Sequence, residues 1–168
     1  NEKTGTVYYA YDPNFSELFE LNIVGGVVIP EGYLCKRLTS EKDKFSTKIT
    51  TKTPQNYEFT IIKVEENNIS NIFLKLQSYG TTLNVNEKGL KILFSDGTVL
   101  TKPDVKIDYK NETGARGWTY SCFIELNEED IQLLSTKSIT DYALFIYERK
   151  MNESKAIELR EYLKCMSK

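Results

Sequence analysis

From residue 57 onward, apolar side chains recur at every second position, and a chain with that period has little choice but β-sheet. Tyr57, Phe59 and Ile61 alternate with Glu58, Thr60 and Ile62. Ile72, Leu74 and Leu76 alternate with Lys75 and Gln77, and Leu90, Ile92 and Phe94 repeat the pattern. Val105, Ile107 and Tyr109 are separated by Lys106 and Asp108, and Tyr120, Cys122, Ile124 and Leu126 by Ser121, Phe123 and Glu125. Each run offers one apolar face for a core. The expectation is a mainly β (α+β) fold, an antiparallel β-sandwich-like domain.

Turn chemistry divides the runs. Asp96-Gly97 between Phe94 and Val99 signals a tight hairpin, because both residues tolerate positive φ. Glu65-Glu66-Asn67-Asn68 reads as a turn, and the strands around the loop Lys110–Gly117 read as a second hairpin. Tyr142, Leu144 and Ile146 lie on one side of a further strand, with Ala143, Phe145 and Tyr147 on the other. Both faces being apolar, that strand is expected in the middle of a sheet. The N-terminal third is less regular. Thr6–Tyr11 reads as a strand stopped by Asp12-Pro13-Asn14, and Leu21–Ile29 as a β segment with a bulge or tight turn at Gly25-Gly26. Leu38–Lys44 reads as a surface loop and Phe45–Lys52 as a Thr-rich strand.

Two helices are expected. Asn127 is placed to cap one near 128–135, whose first turn holds Glu128, Glu129 and Asp130. Ile131 and Leu134 then face inward. A second, near 153–166, is capped by Asn152 or Ser154 and has an apolar stripe of Ala156, Leu159, Leu163 and Met166. At 168 residues one domain over 1–168 is the natural reading, with a weak sub-boundary near 44.

The chain contains no His. A Ser-His-Asp triad, a Cys-His pair and a His zinc site are therefore excluded. The three cysteines, Cys35, Cys122 and Cys165, show no CxxC spacing. Cys122 reads as a small core residue. Cys35 and Cys165 pair only if the fold brings them together, which the sequence leaves open. Net charge is −2 with no block of like charge, which argues against a nucleic-acid partner. No run of 18 apolar residues exists to span a membrane. The first residue, Asn1, suits a trimmed start. The sequons at Asn14, Asn68, Asn111 and Asn152 follow from an Asn-rich composition.

Four stretches in order carry a resemblance: Leu90–Val99 with its Asp-Gly turn, Phe123–Leu134 with Glu128-Glu129-Asp130, Ile139–Phe145, and Tyr162–Met166 around Cys165. Over residues 57–168 the chain resembles a group of exported, uncharacterised β-rich domains of gut-dwelling Gram-negative anaerobes. It departs from that group at Tyr142-Ala143, where a basic residue is usual. The resemblance implies export to the periplasm or cell surface, often with a lipid anchor, here upstream of Asn1. It brings no activity and no catalytic residues.

Three places attract attention as sites. Arg116 and Trp118, beside Gly114 and Gly117, are suited to stack on a sugar ring or grip a carboxylate. The simpler reading is that Trp118 plugs the sandwich end. Tyr9 and Tyr11, with Tyr8 pointing the other way, make an aromatic strip if their strand is exposed, or ordinary strand packing if it is not. Glu128, Glu129 and Asp130 are acidic enough for Ca²⁺, but helix-start chemistry accounts for them. No metal and no cofactor is expected. The expectation for function is a non-catalytic binding or interaction module at the cell envelope, with a glycan or protein ligand. The competing one is a small carboxylate-based hydrolase such as a glycosidase, which needs a cleft with two acids roughly 5–10 Å apart.

Overall fold

The computed structural model describes residues 21–24, 27–30, 32–111 and 117–168. β1 (Leu21–Val24) and β2 (Val27–Pro30) form a separate antiparallel hairpin, Val24 pairing with Val27. The strand read over Thr6–Tyr11 lies outside the described residues.

The remaining strands are β3 (Thr39–Lys42), β4 (Ile49–Lys52), β5 (Phe59–Glu66), β6 (Ile69–Gly80), β7 (Lys88–Phe94), β8 (Val99–Asn111), β9 (Trp118–Leu126), β10 (Ile139–Leu144) and β11 (Tyr147–Lys150). They make one antiparallel sheet in the order β11-β10-β7-β8-β9-β6-β5-β4-β3. The fold is mainly β, as the alternation requires. The alternating residues point inward: Phe59, Ile61, Leu74, Leu76, Leu90, Ile92, Phe94, Cys122 and Ile124 are all in the core.

The sheet bends at β8, whose first half pairs with β7 and whose second half pairs with β9. Its two halves then face each other. The Tyr142 phenol on β10 donates to the Gln77 carbonyl on β6, and Ser78 Oγ donates to the Tyr147 carbonyl at 3.3 Å.

Helix α1 (Glu128–Thr136) starts with a reciprocal cap. Asn127 Oδ1 accepts from Asp130 N–H at 2.8 Å, and Asp130 Oδ2 accepts from Asn127 N–H at 3.2 Å. Asp130 is 2% exposed and also binds Lys102 Nζ at 2.7 Å. Lys137, just past the helix, binds Asp96 and Thr98 in the β7–β8 turn. Its hydrogen bond, with one from Thr98 N–H, holds the Asp96 carboxyl well below the usual carboxylate range. Leu134 is buried and Ile131 half-buried. Helix α2 (Glu153–Met166) is capped by Asn152, whose side chain accepts from Ser154 N–H, and it buries Ala156, Leu159, Leu163 and Met166. It packs against α1, β5, β10 and a 3₁₀ turn (Leu34–Arg37). Cys35 in that turn is disulfide-bonded to Cys165 in the last turn of α2, with Cα atoms 5.4 Å apart.

Several local expectations are corrected. Leu38–Lys44 is not a loop: Thr39–Lys42 is an exposed edge strand whose polar side chains carry no alternation to reveal it. Phe45 does not begin β4. It is 98% exposed in the connection before it, where its N–H bonds Asp43 Oδ1. Tyr57 is 79% exposed and precedes β5 rather than belonging to its inner face. Glu65 and Glu66 are strand residues, and the turn is Asn67-Asn68 alone, both at positive φ (51° and 64°). In the β7–β8 hairpin only Gly97 takes positive φ (83°), with its N–H on the Phe94 carbonyl. This is a type I turn closed by a left-handed glycine, not a turn with two left-handed residues. The strand expected over Tyr142–Tyr147 is really a hairpin. Phe145, at φ 56°, and Ile146 form its exposed two-residue turn, and Leu144 pairs with Tyr147.

The disulfide spans 130 residues. On a chain-entropy account, a closed loop of that length restricts the unfolded chain by about 5 kcal/mol. In urea unfolding, the Cys35→Ser/Cys165→Ser double variant is expected to lose stability on that order; an unmoved midpoint would contradict the account. Cys122 is buried, and loss of hydration pushes its thiol up to about 11. Without reductant, a thiol reagent at mild alkaline pH should find no thiol in the native chain and one per chain in denaturant.

Candidate ligand-binding site

One end of the bent sheet gathers aromatic side chains from four strands. β6 ends at Tyr79-Gly80, β9 begins at Trp118, β8 ends at Asn111, and β11 begins at Tyr147. Register brings them together: Gly80 and Asn111 both pair with Trp118, and Tyr109 pairs with Tyr120.

Gly80 is the hinge of the arrangement. A Cβ there would lie 2.1 Å from Tyr147 Cε1, so the tyrosine ring occupies the space that any side chain would need. Gly117 is at φ +142°, and a Cβ on it would come within 2.8 Å of the Gly80 carbonyl oxygen. Lying over Gly80, the Tyr147 ring stacks on Tyr120, with centroids 4.1 Å apart and planes at 18°. Both phenols reach the Thr82 carbonyl at 2.6 Å and lie 3.2 Å from each other. Asn84 N–H donates to the Tyr120 phenol at 3.0 Å, and Asn84 Nδ2 donates to the Tyr147 phenol. Lost hydration, and then the contact with Tyr120, raise the Tyr147 phenol above its ordinary range. At neutral pH it stays protonated and acts as a hydrogen-bond donor, not as a base.

This network pins the loop 81–87, which exposes Leu83 and Val85. Beside it, Trp118 is half-buried against the core and meets the Tyr109 ring edge-on, at 5.9 Å and 71°. Tyr109 itself is 46% exposed. On the other face of β6, the Arg149 guanidinium lies 5.0 Å from the centroid of the exposed Tyr79 ring. The end of the sheet therefore offers exposed ring faces, two aliphatic side chains and a cation on a braced backbone.

Of the residues singled out from sequence, Trp118 stands in this cluster. Arg116, Tyr9 and Tyr11 lie outside the described residues. Sequence reasoning missed Gly80, Asn84, Tyr109 and Tyr147. Gly80, ending an alternating run, was the one available signal. The three acids of α1 do not assemble a cation site: Asp130 is taken up by Lys102 and the helix cap. Among the described residues no three His, Cys, Asp or Glu side chains are grouped to hold a metal. A cleft of about 800 Å³ lies at the opposite end of β6 and β9, against α1 and the last residues of α2. It contains Glu65 and Glu128, and Glu65 is ion-paired with Lys63 at 3.1 Å. Compared with protein-family models, with curated proteins and with solved structures, the chain matches none.

If Gly80 is the hinge, Gly80→Ala should displace Tyr147 and lower stability by about 1–3 kcal/mol. Tyr147→Phe keeps the ring and should cost only about 1 kcal/mol for the lost hydroxyl. Chemical denaturation of the two variants checks the ordering, and equal losses would speak against it.

Proposed function

We propose that this chain is a non-catalytic binding module exported to the periplasm or cell surface, and that it takes its ligand at the aromatic end of the sheet. The observation that carries the proposal is the pair of aromatic surfaces at that end, Trp118 against the exposed Tyr109 ring on one face and Arg149 over the exposed Tyr79 ring on the other. Exposed rings held by a rigid frame gain contact with a flat ligand at little conformational cost. A glycan fits that description best, since one face of a sugar ring is apolar; a protein segment is the second choice within the same reading.

Two further points support export. The disulfide between Cys35 and Cys165 suits an oxidising compartment, and the resemblance of residues 57–168 to exported domains points the same way. No helix among the described residues is long and apolar enough to cross a membrane. The hydrolase reading is weaker: of the two acids in the cleft against α1, Glu65 is already held by Lys63.

The test is a glycan array and a pull-down with the purified chain, followed by titration of any retained ligand. Tyr109→Ala, at an exposed ring, should weaken binding by about tenfold, and Trp118→Ala by at least as much. Turnover of a polysaccharide by the purified chain would replace this reading with the hydrolase.

A further inference from the structure

The outer face of the β6–β9 ladder carries an arrangement that the aromatic end does not use. Phe73 on β6 stands opposite Glu125 on β9, and Lys75 stands opposite Phe123. These positions alternate with the buried Ile72, Leu74, Leu76, Cys122, Ile124 and Leu126, so all four point away from the core. They form a rectangle with aromatic rings on one diagonal and opposite charges on the other. The two rings stack in parallel, 5.1 Å apart at 9°. Phe123 is 52% exposed, and Ile62 on β5, which pairs with Phe73, is only half-buried. Both helices bury their apolar residues in the core on the other side of the sheet.

We propose that this face is a dimer interface, covered by a second copy of the chain about a two-fold axis along the Phe73–Phe123 diagonal. An axis lying in the contact plane returns points on it to themselves and exchanges points on either side. Phe73 then meets the partner's Phe73, and Phe123 meets the partner's Phe123. Lys75 meets the partner's Glu125, and Glu125 meets the partner's Lys75.

Every other choice of axis through the rectangle fails. Along the charged diagonal, Lys75 meets the partner's Lys75 and Glu125 meets the partner's Glu125. Parallel to the strands, Phe73 faces the partner's Glu125 and Phe123 faces the partner's Lys75. Across the strands, Phe73 faces the partner's Lys75 and Phe123 faces the partner's Glu125. Only one axis joins rings to rings and each charge to its opposite, which is what electrostatic complementarity contributes to register.

Strands about 4.8 Å apart and a two-residue step of about 6.8 Å set that diagonal roughly 35° from the strands. The two sheets would cross at roughly 70°, close to the orthogonal class of sheet packing. The patch is small beside the roughly 1,200–2,000 Å² of a standard interface, so a dissociation constant on the order of micromolar is expected.

Sedimentation equilibrium of the chain across the micromolar range should show monomer and dimer in exchange. Lys75→Glu and Glu125→Lys should each weaken association by about tenfold or more, and the double charge swap should restore it. Unfolding midpoints of the variants establish that each is folded. As a second readout, Phe73→Cys places a thiol on the axis and should be joined to its symmetry mate by a short bis-maleimide, which bridges the roughly 10 Å between facing sheets that a disulfide cannot, and more readily than Lys75→Cys. A monomer throughout that range, a double swap no better than the singles, or equal cross-linking at both positions would each overturn the proposal.

Discussion

Pro103 has no N–H to donate to a ladder, yet it stands inside β8, the strand on which both halves of the sheet depend. The structure accommodates it with a bulge. Leu90 pairs with Lys102 and Lys88 with Lys106, so β8 advances four residues where β7 advances two. Gly89, at the same irregularity on β7, takes φ +108°, a value that a side chain would resist. The interrupted hydrogen bonds are recovered nearby: Phe145 N–H donates to the Gly89 carbonyl at 2.8 Å, and Ile107 N–H to the Glu87 carbonyl at 3.0 Å. On one side of the bulge β8 belongs with β7, and on the other with β9. The change of partner carries β7, β10 and β11 over the inner face of β6 and β9, and without it there would be no enclosed core.

How legible this was depended on whether the deciding physics is local. The inward residues of β5, β6, β7 and β9 were legible, because period-two burial is written in single side chains. The helices were legible to within a residue, because the Asn127 and Asn152 caps and a 3.6-residue apolar period act over one or two turns. β3 was not, since an edge strand exposed on both faces has no pattern to show. The turn at Phe145-Ile146 was not, because an aromatic residue at φ 56° contradicts its own preference; tertiary contacts hold it there, among them the bond to Gly89. The pairing of Cys35 with Cys165 depends on the docking of α2 beside the 3₁₀ turn, a relation between segments 130 residues apart.

The aromatic end shows the same division. Trp118 was visible as the single Trp next to a glycine-bearing loop. Its partners were not, because β6, β8, β9 and β11 converge there only after the sheet has folded over. Tyr120 read as a core residue, and it is one by burial. Its hydroxyl nevertheless reaches out of the core to the backbone of the loop 81–87, so a core side chain sets the shape of a surface loop. That coupling is why Gly80 matters. The glycine contributes no side-chain contact, but the space it leaves admits Tyr147, and Tyr147 completes the brace.

The two proposed surfaces bear on each other through geometry. The aromatic end lies beyond Gly80, along β6 from the Phe73–Phe123 rectangle. A two-fold axis inclined by roughly 35° to the strands would swing the partner's β6 across this one while keeping both aromatic ends on the same side of the dimer. With a strand rise of about 3.4 Å per residue and sheets about 10 Å apart, the two ends come to lie roughly 25 Å from each other. A polymeric ligand that spans that gap would engage both at once, and the second contact would be made at high effective concentration. Weak binding at a single aromatic end would then be no obstacle to retention, because affinity too low for one site becomes sufficient for two. A lone sugar would gain nothing from the pairing, so chain length rather than sugar identity would govern how tightly the dimer holds.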